Sequence, residues 1–304
     1  MTRRAAASLP PLLFLLFGGP SAHAELYYLI VGGLGGQPQY EEAFAADATE
    51  IAAAAKRTLG ADSRITLLAG DNATREAVRA SFEKLAATKP ADRVAVFLIG
   101  HGSYDGTQYK FNLPGPDIDG DELGALLAAV PAKTQLIVNA TSASGAVLES
   151  WKSDGRAVVT ATRSGAERNA VRFGKYLAEA LSADEADVNK NGAITAQEAF
   201  DYAARLTAES YESEGTLATE HPQIAGDVAA AFDVARLTAR VLDTPELVSL
   251  NNDREALEEK IAALRLRREE LGDDYLDQLQ PLLVQLAELQ ERIDAAEAKE
   301  SGAN

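Results

Sequence analysis

VFLIGHGSYDG, residues 96–106, decides how the rest of the chain is read. An unbroken apolar run that stops at Gly100-His101-Gly102 describes a strand buried on both faces and ending in a tight turn. A second stretch, QLIVNATSASG at 135–145, repeats the layout and ends in small residues. Working outward, further short apolar runs lie at Leu26–Val31, Ile65–Leu68 and Ala157–Ala161. Amphipathic stretches at about 41–58, 74–87, 120–129 and 169–182 separate them. Strands alternating with helices predict an α/β fold with a mostly parallel sheet covered on both faces. In such sheets functional groups gather beyond the carboxyl ends of the strands. His101 follows one strand and Ser142 follows the other, so both are expected at one edge.

The chain has three histidines and no cysteine. Histidine is the easiest general base near neutral pH. Beyond the first 24 residues only His101 and His221 remain, and His221, before Pro222 in a polar loop, reads as structural. Spacing alone leaves His101 open between a base and a turn residue between two glycines. A serine nucleophile needs a histidine within hydrogen-bond reach and a third group to hold the ring. Asp105, four residues after His101, is the candidate for that third group.

The first 24 residues combine Arg3 and Arg4, an apolar run from Leu12 to Phe17, and Ala22-His23-Ala24. These are the features of a secretory signal peptide, whose apolar core is too short to span a bilayer. The expectation is therefore a periplasmic or secreted protein with no transmembrane segment after processing. The formal charge of −17 makes nucleic acid an unsuitable partner, because phosphates would be repelled.

The order strand, GHG, strand, small residues and Ser-Gly resembles the caspase/legumain group of cysteine peptidases, especially the bacterial legumain-like (C13) members. In that group a His-Gly follows one strand, and the next core strand ends in a cysteine within a pattern like A-C-x-S-G. Matching Ser144-Gly145 to this pattern places Ser142 where the cysteine belongs. GLGGQPQYEEAF after the first strand, LPGPDIDGDEL before a helix and HPQIAGD near the end agree, so the resemblance covers roughly 26–228. It implies a caspase-like three-layer sandwich over residues 25–240, with His101, Gly102 and Ser142 at the catalytic positions. A thiolate is a far stronger nucleophile than a serine hydroxyl. The family's basic specificity residue also has no counterpart, since 32–55 contains no Lys or Arg; Arg163 is a possible substitute. One reading is an inactive, peptidase-derived scaffold or binding module. A second is a serine-type endopeptidase using His101 and Ser142.

DVNKNGAITAQE, residues 187–198, matches an EF-hand loop. Asp187, Asn189 and Asn191 stand at positions 1, 3 and 5, Gly192 at the sharp turn, and Glu198 at position 12, with Ala193 offering its carbonyl and Thr195 an oxygen. The expectation is one structural calcium ion, the alternative being a turn that caps the following helix. DIDGDE at 117–122 reads instead as a capping box from Asp119 to Glu122. GGLGG at 32–36 reads as a tight passage beside the cleft.

From about 245 to 300 the composition shifts to Leu, Glu, Arg and Ala. Leu257, Ile261, Leu264 and Leu271 form one stripe, and Leu279, Leu282, Leu286, Leu289 and Ile293 another, separated by Gly272-Asp273-Asp274. This predicts an α-helical hairpin or a coiled-coil element, with Pro281 kinking or starting its second helix. The hairpin is either an appendage packed on its own domain or a surface for a protein partner or a second copy. A third functional reading makes it the working part.

Overall fold

The computed structural model describes residues 24–238, 245–272 and 274–301. The expected signal peptide, apart from Ala24, lies outside the described residues.

The first half of the chain forms β1 (Leu26–Gly32), α1 (Pro38–Leu59), β2 (Ile65–Leu68), α2 (Arg75–Leu85) and β3 (Arg93–Gly100). A small antiparallel sheet follows, β4 (Gly102–Tyr104), β5 (Tyr109–Phe111) and β6 (Ile118–Asp119), leading into α3 (Gly120–Ala128). Next come β7 (Thr134–Thr141), α4 (Leu148–Trp151), β8 (Arg156–Thr160) and α5 (Phe173–Ala180). The domain closes with β9 (Ala193–Thr195), α6 (Ala196–Glu214), β10 (Gln223–Ala225) and β11 (Asp233–Arg236). The tail is α7 (Pro245–Leu266), α8 (Arg268–Leu271) and α9 (Asp274–Ser301).

The main sheet has the order β10-β8-β7-β3-β1-β2, parallel throughout except for β10. Its central strands bury both faces, which explains their unbroken apolar runs. On β3, Ala95, Phe97 and Ile99 face the core shared with α1, α5 and α6, while Val94, Val96 and Leu98 face the core under α2 and α3. β1 and β7 divide in the same way, with Tyr28, Ile30, Val138 and Ala140 on the first side and Leu29, Val31 and Ile137 on the second.

Local signals set several element ends. Thr74 caps α2, its side chain accepting from the Ala77 amide. Gly60, left-handed, ends α1. The Asp119 side chain caps α3 by accepting from the Glu122 amide, but the reciprocal half of the expected box is missing: the Glu122 carboxylate pairs with Arg75 and Arg79 on α2 instead. Two charged partners hold it more strongly than one backbone amide.

The tail is the expected hairpin. Leu257, Ile261 and Leu264 on α7 and Leu289 and Ile293 on α9 are buried. Pro281 stands inside α9 rather than at its start, on an exposed position. Arg236 at the end of β11 pairs with Glu258 on α7, tying the hairpin to the α/β domain.

Arg156 is buried at the start of β8. Its guanidinium donates to Gln135 Oε1 on β7 at 2.9 Å, to the Trp151 carbonyl ending α4 at 2.9 Å, and to the Leu127 carbonyl near the end of α3 at 3.0 Å. Carbonyls at helix C-termini lack intrahelical donors and attract cations, so one side chain closes two helices onto two strands. Arg156→Ala strands two buried acceptors and leaves the Leu127 carbonyl with the Val130 amide at 3.3 Å, and is expected to cost about 3 kcal/mol, given that each unsatisfied group costs roughly 1–3 kcal/mol. Urea unfolding at unchanged m-value measures it.

Candidate functional site

The register between β3 and β7 builds the site. Gly100 pairs with Thr141 at the carboxyl ends of two adjacent parallel strands. His101 and Ser142 each follow directly, one residue past the last pair of the register, so both leave the sheet at this edge. Gly102 confirms the closeness: a Cβ there would run into the Ser142 carbonyl oxygen, the Thr141 hydroxyl and the Tyr109 ring. A side chain at this position would push the two turns apart. Gly33 and Gly35 serve the neighbouring passage, since a Cβ at either would meet the Asn112 carbonyl or the Glu41 amide.

The two side chains have separate surroundings. The His101 ring stands edge-on to Tyr40 at 4.8 Å and Phe44 at 4.9 Å, both on α1. Burial against them lowers its pKa, while a hydrogen bond to the Gly35 backbone acts in the opposite direction. Ser142 is buried, and no hydrogen bond joins it to His101. Asp105 does not orient the histidine, correcting that expectation. Its carboxylate accepts from the Thr107 and Gln108 amides at 2.8 Å each, closing its own turn, and these amides hold its pKa below the usual carboxylate range. An aspartate with two local backbone donors has little reason to reach toward a partly buried ring.

Behind the turn lies a buried polar network. The Tyr109 hydroxyl contacts the Thr141 hydroxyl at 2.6 Å and Asn139 Oδ1 at 3.1 Å, and Thr141 donates to Asn139 Oδ1 at 2.8 Å. Ser144 is buried too; its hydroxyl accepts from the Thr162 amide at 3.2 Å, a structural use.

His221 was expected to be structural. It lies at the rim of this same site and carries the carboxylate partner that His101 lacks: its Nδ1 is 2.6 Å from Glu167 Oε1. Glu167 Oε2 accepts the amides of Arg163 and His221, and the Glu167 carbonyl accepts the Ala143 amide at 2.7 Å, directly after Ser142. The side chain of Arg163 is 65 % exposed and approaches Glu167 Oε1 at 3.5 Å. Sequence reasoning missed Glu167 because nothing in a loop glutamate signals that three segments converge on it. Glu220 was missed for the same reason. Its buried carboxylate accepts the Arg172 and Phe173 amides that open α5, and the Tyr211 hydroxyl. Burial pushes its pKa up, against those donors.

The loop 187–198 is separate from the cleft. Asp187, buried, accepts the Asn191 and Gly192 amides at 3.1 and 2.8 Å. Asn189 Oδ1 accepts the Asn191 amide, and Asn191 Oδ1 the Ala193 amide. Gly192 is left-handed, as the sixth loop position requires. Ile194 is buried, and its strand β9 pairs antiparallel with β11. Glu198 forms a capping box with Thr195, and its Oε1 accepts from Asn189 Nδ2. The helix-capping alternative and the ion-binding expectation thus share one geometry. The loop offers two carboxylates, Asp187 and Glu198, with neutral oxygens between. Among the described residues, no group of three or more His, Cys, Asp or Glu could hold a metal, and no helix is long and apolar enough to cross a membrane.

Comparison with known proteins places the peptidase C13 family on residues 39–231. No curated protein matches the chain. Solved structures that do include the Drosophila initiator caspase Dronc, at 10% identity and a TM-score of 0.39, over 74% of this chain and 92% of that one.

The lowered pKa of His101 fixes a sign. The folded state favours the neutral ring, so the stability this adds is present above the ordinary value of about 6.5 and is lost as pH falls below it. In an NMR titration His101 is expected to titrate below His in an unfolded peptide, and Phe44→Ala, which opens the ring to water, to raise it. A His101 value at or above 6.5 contradicts this environment.

Proposed function

Starting from a chain that belongs to the peptidase C13 family, we propose that it is a catalytically inactive member whose cleft serves as a scaffold or binding surface for a protein or peptide partner. One observation carries the reading: the chain contains no cysteine, and the serine at the matching position makes no hydrogen bond to His101. A serine hydroxyl stays protonated near neutral pH and is a weak nucleophile without a base in contact. Here the base faces an aromatic wall, and the nearby aspartate is committed to its own turn. The features of residues 1–24 support export to the periplasm or the medium.

The serine-endopeptidase reading keeps one observation in its favour, that His101 and Ser142 directly follow the last paired residues of adjacent parallel strands. Incubation with peptides carrying Asn, Asp, Arg or Lys before the scissile bond, and with a serine-directed phosphonate, separates the two. No turnover and no labelling are expected. Labelling abolished by both Ser142→Ala and His101→Ala would establish the serine enzyme instead. Ser142→Cys is expected to leave the protein inert, because the thiol would still lack a seated substrate; restored cleavage would show that only the nucleophile had been lost.

The same proposal includes one structural calcium ion in the loop 187–198. The support is the fit of the donor set: Asp187, Asn189, Asn191 and Glu198 side chains, the Ala193 carbonyl and Thr195 are all oxygen donors, spaced as a hard cation needs. With only two carboxylates the affinity belongs to the weaker, extracytoplasmic range. Binding to the folded state alone stabilises by about 2.7 kcal/mol at a hundredfold excess over the dissociation constant. Calcium is therefore expected to raise Tm and magnesium to raise it less, with Glu198→Gln removing most of the shift. Identical melting in millimolar calcium and in excess chelator would reduce the loop to a helix cap.

A further inference from the structure

Residues 161–172 join β8 to α5, and part of this loop lies across the end of β7. Three contacts trace its path. The backbone of Arg163 and Ser164 packs so closely on Gly145 that a Cβ there would run into it, and the Gly145 amide donates to the Thr162 hydroxyl at 2.9 Å. The Glu167 carbonyl accepts the Ala143 amide at 2.7 Å. Between these points Gly165 is buried against the Tyr104 ring, where a Cβ would meet three of the ring carbons. In the main sheet β7 stands between β8 and β3, and Tyr104 lies on β4, three residues past His101. A loop that leaves β8 and reaches Tyr104 therefore passes over the turn 142–145 on its way.

Ser142 shows the result. It is 2 % exposed, and its hydroxyl has no hydrogen-bond partner among the described residues. The hydroxyls beside it are satisfied: Ser144 accepts the Thr162 amide, and Thr162 the Gly145 amide. A hydroxyl taken from water without a partner is destabilising, so the covered arrangement is held by the contacts around it. Ala143, the next residue, is left-handed at φ 57°, a conformation uncommon outside glycine, and the Glu167 carbonyl holds its amide. We infer that residues 163–168 are a lid that keeps the Ser142 end of the cleft shut, with the Tyr104 ring on Gly165 as its latch. This rests on the reading of the cleft as a binding surface: a partner reaches Ser142 only after the lid lifts off Tyr104. The composition suits the task. Arg163-Ser164-Gly165-Ala166-Glu167-Arg168 contains no large apolar side chain, so lifting it forfeits little buried apolar surface beyond the Tyr104 contact. Arg163, Ala166 and Arg168 already face solvent.

The absence of cysteine makes the test clean. Ser142→Cys in the full chain carries a single thiol. Its rate of alkylation by iodoacetamide, relative to the same thiol in the urea-unfolded chain, reads how often the lid is open. That rate is expected to be more than about tenfold lower in the folded protein. Tyr104→Ala and, separately, Gly165→Ala, whose methyl group displaces the ring, are each expected to raise it about tenfold. Ser81→Cys, buried on α2, is the control for general loosening, and its rate is expected to stay unchanged under both substitutions. A Ser142→Cys thiol that reacts as fast folded as unfolded overturns the lid. A slow rate that neither Tyr104→Ala nor Gly165→Ala raises overturns the latch, and so does a rise shared equally by Ser81→Cys. Alkylation needs neither a partner nor turnover, so failure here is distinct from failure of the cleft to bind a partner.

Discussion

The pairing of β3 with β7, in register from Arg93 with Thr134 to Gly100 with Thr141, is the constraint on which the rest of the molecule depends. A slip of one residue would exchange the two faces of one strand relative to its neighbour. Phe97 and Ile99 would leave the core under α1 and α5, and Val138 and Ala140 could not follow. The same register decides that His101 and Ser142 emerge side by side. Site and core are thus one geometric fact: the register that packs the core also sets where the two strand ends emerge. Gly102 makes the coupling tight, because its bare α-carbon is what lets the turn after β3 lie against the Ser142 carbonyl.

The two histidines of the described residues sit in different surroundings. His101 is set among aromatic rings, and the one carboxylate held against a histidine at this edge of the sheet belongs to His221. Glu167 also pairs with Arg163, and Arg168 in the same loop is exposed. The edge of the sheet is thus apolar on the His101 side and ionic on the side of Glu167.

The elements that read most clearly in the sequence are those whose side chains obey a period. Strands β1, β3, β7 and β8 appear as uninterrupted apolar runs because both faces are covered, and α1, α2, α3 and α5 as amphipathic segments. The small sheet β4-β5-β6 was not foreseen, since strands of two or three residues interrupted by Gly, Pro and Asp have no period to detect. β10 escaped for the same reason, being formed by three residues after His221-Pro222. At the site, the placement of His101 and Ser142 was legible because it follows from strand ends. The roles of Asp105, Glu122 and Glu167 were not, because a carboxylate has several donors within reach and only tertiary packing chooses among them. Pro281 shows the limit at the level of a helix: the sequence left it between kinking and starting the second helix, and it stands exposed inside α9.

Glu167 also has a kinetic meaning. Its side chain receives the Arg163 amide, the His221 amide and the His221 ring, and its carbonyl receives the Ala143 amide. The turn after β7, the loop after β8 and the approach to β10 therefore share one anchor. None can swing away alone without stripping hydrogen bonds from the others, so the rim opens as a unit or remains shut. Its amides are therefore expected to exchange with solvent together, as one cooperative unit.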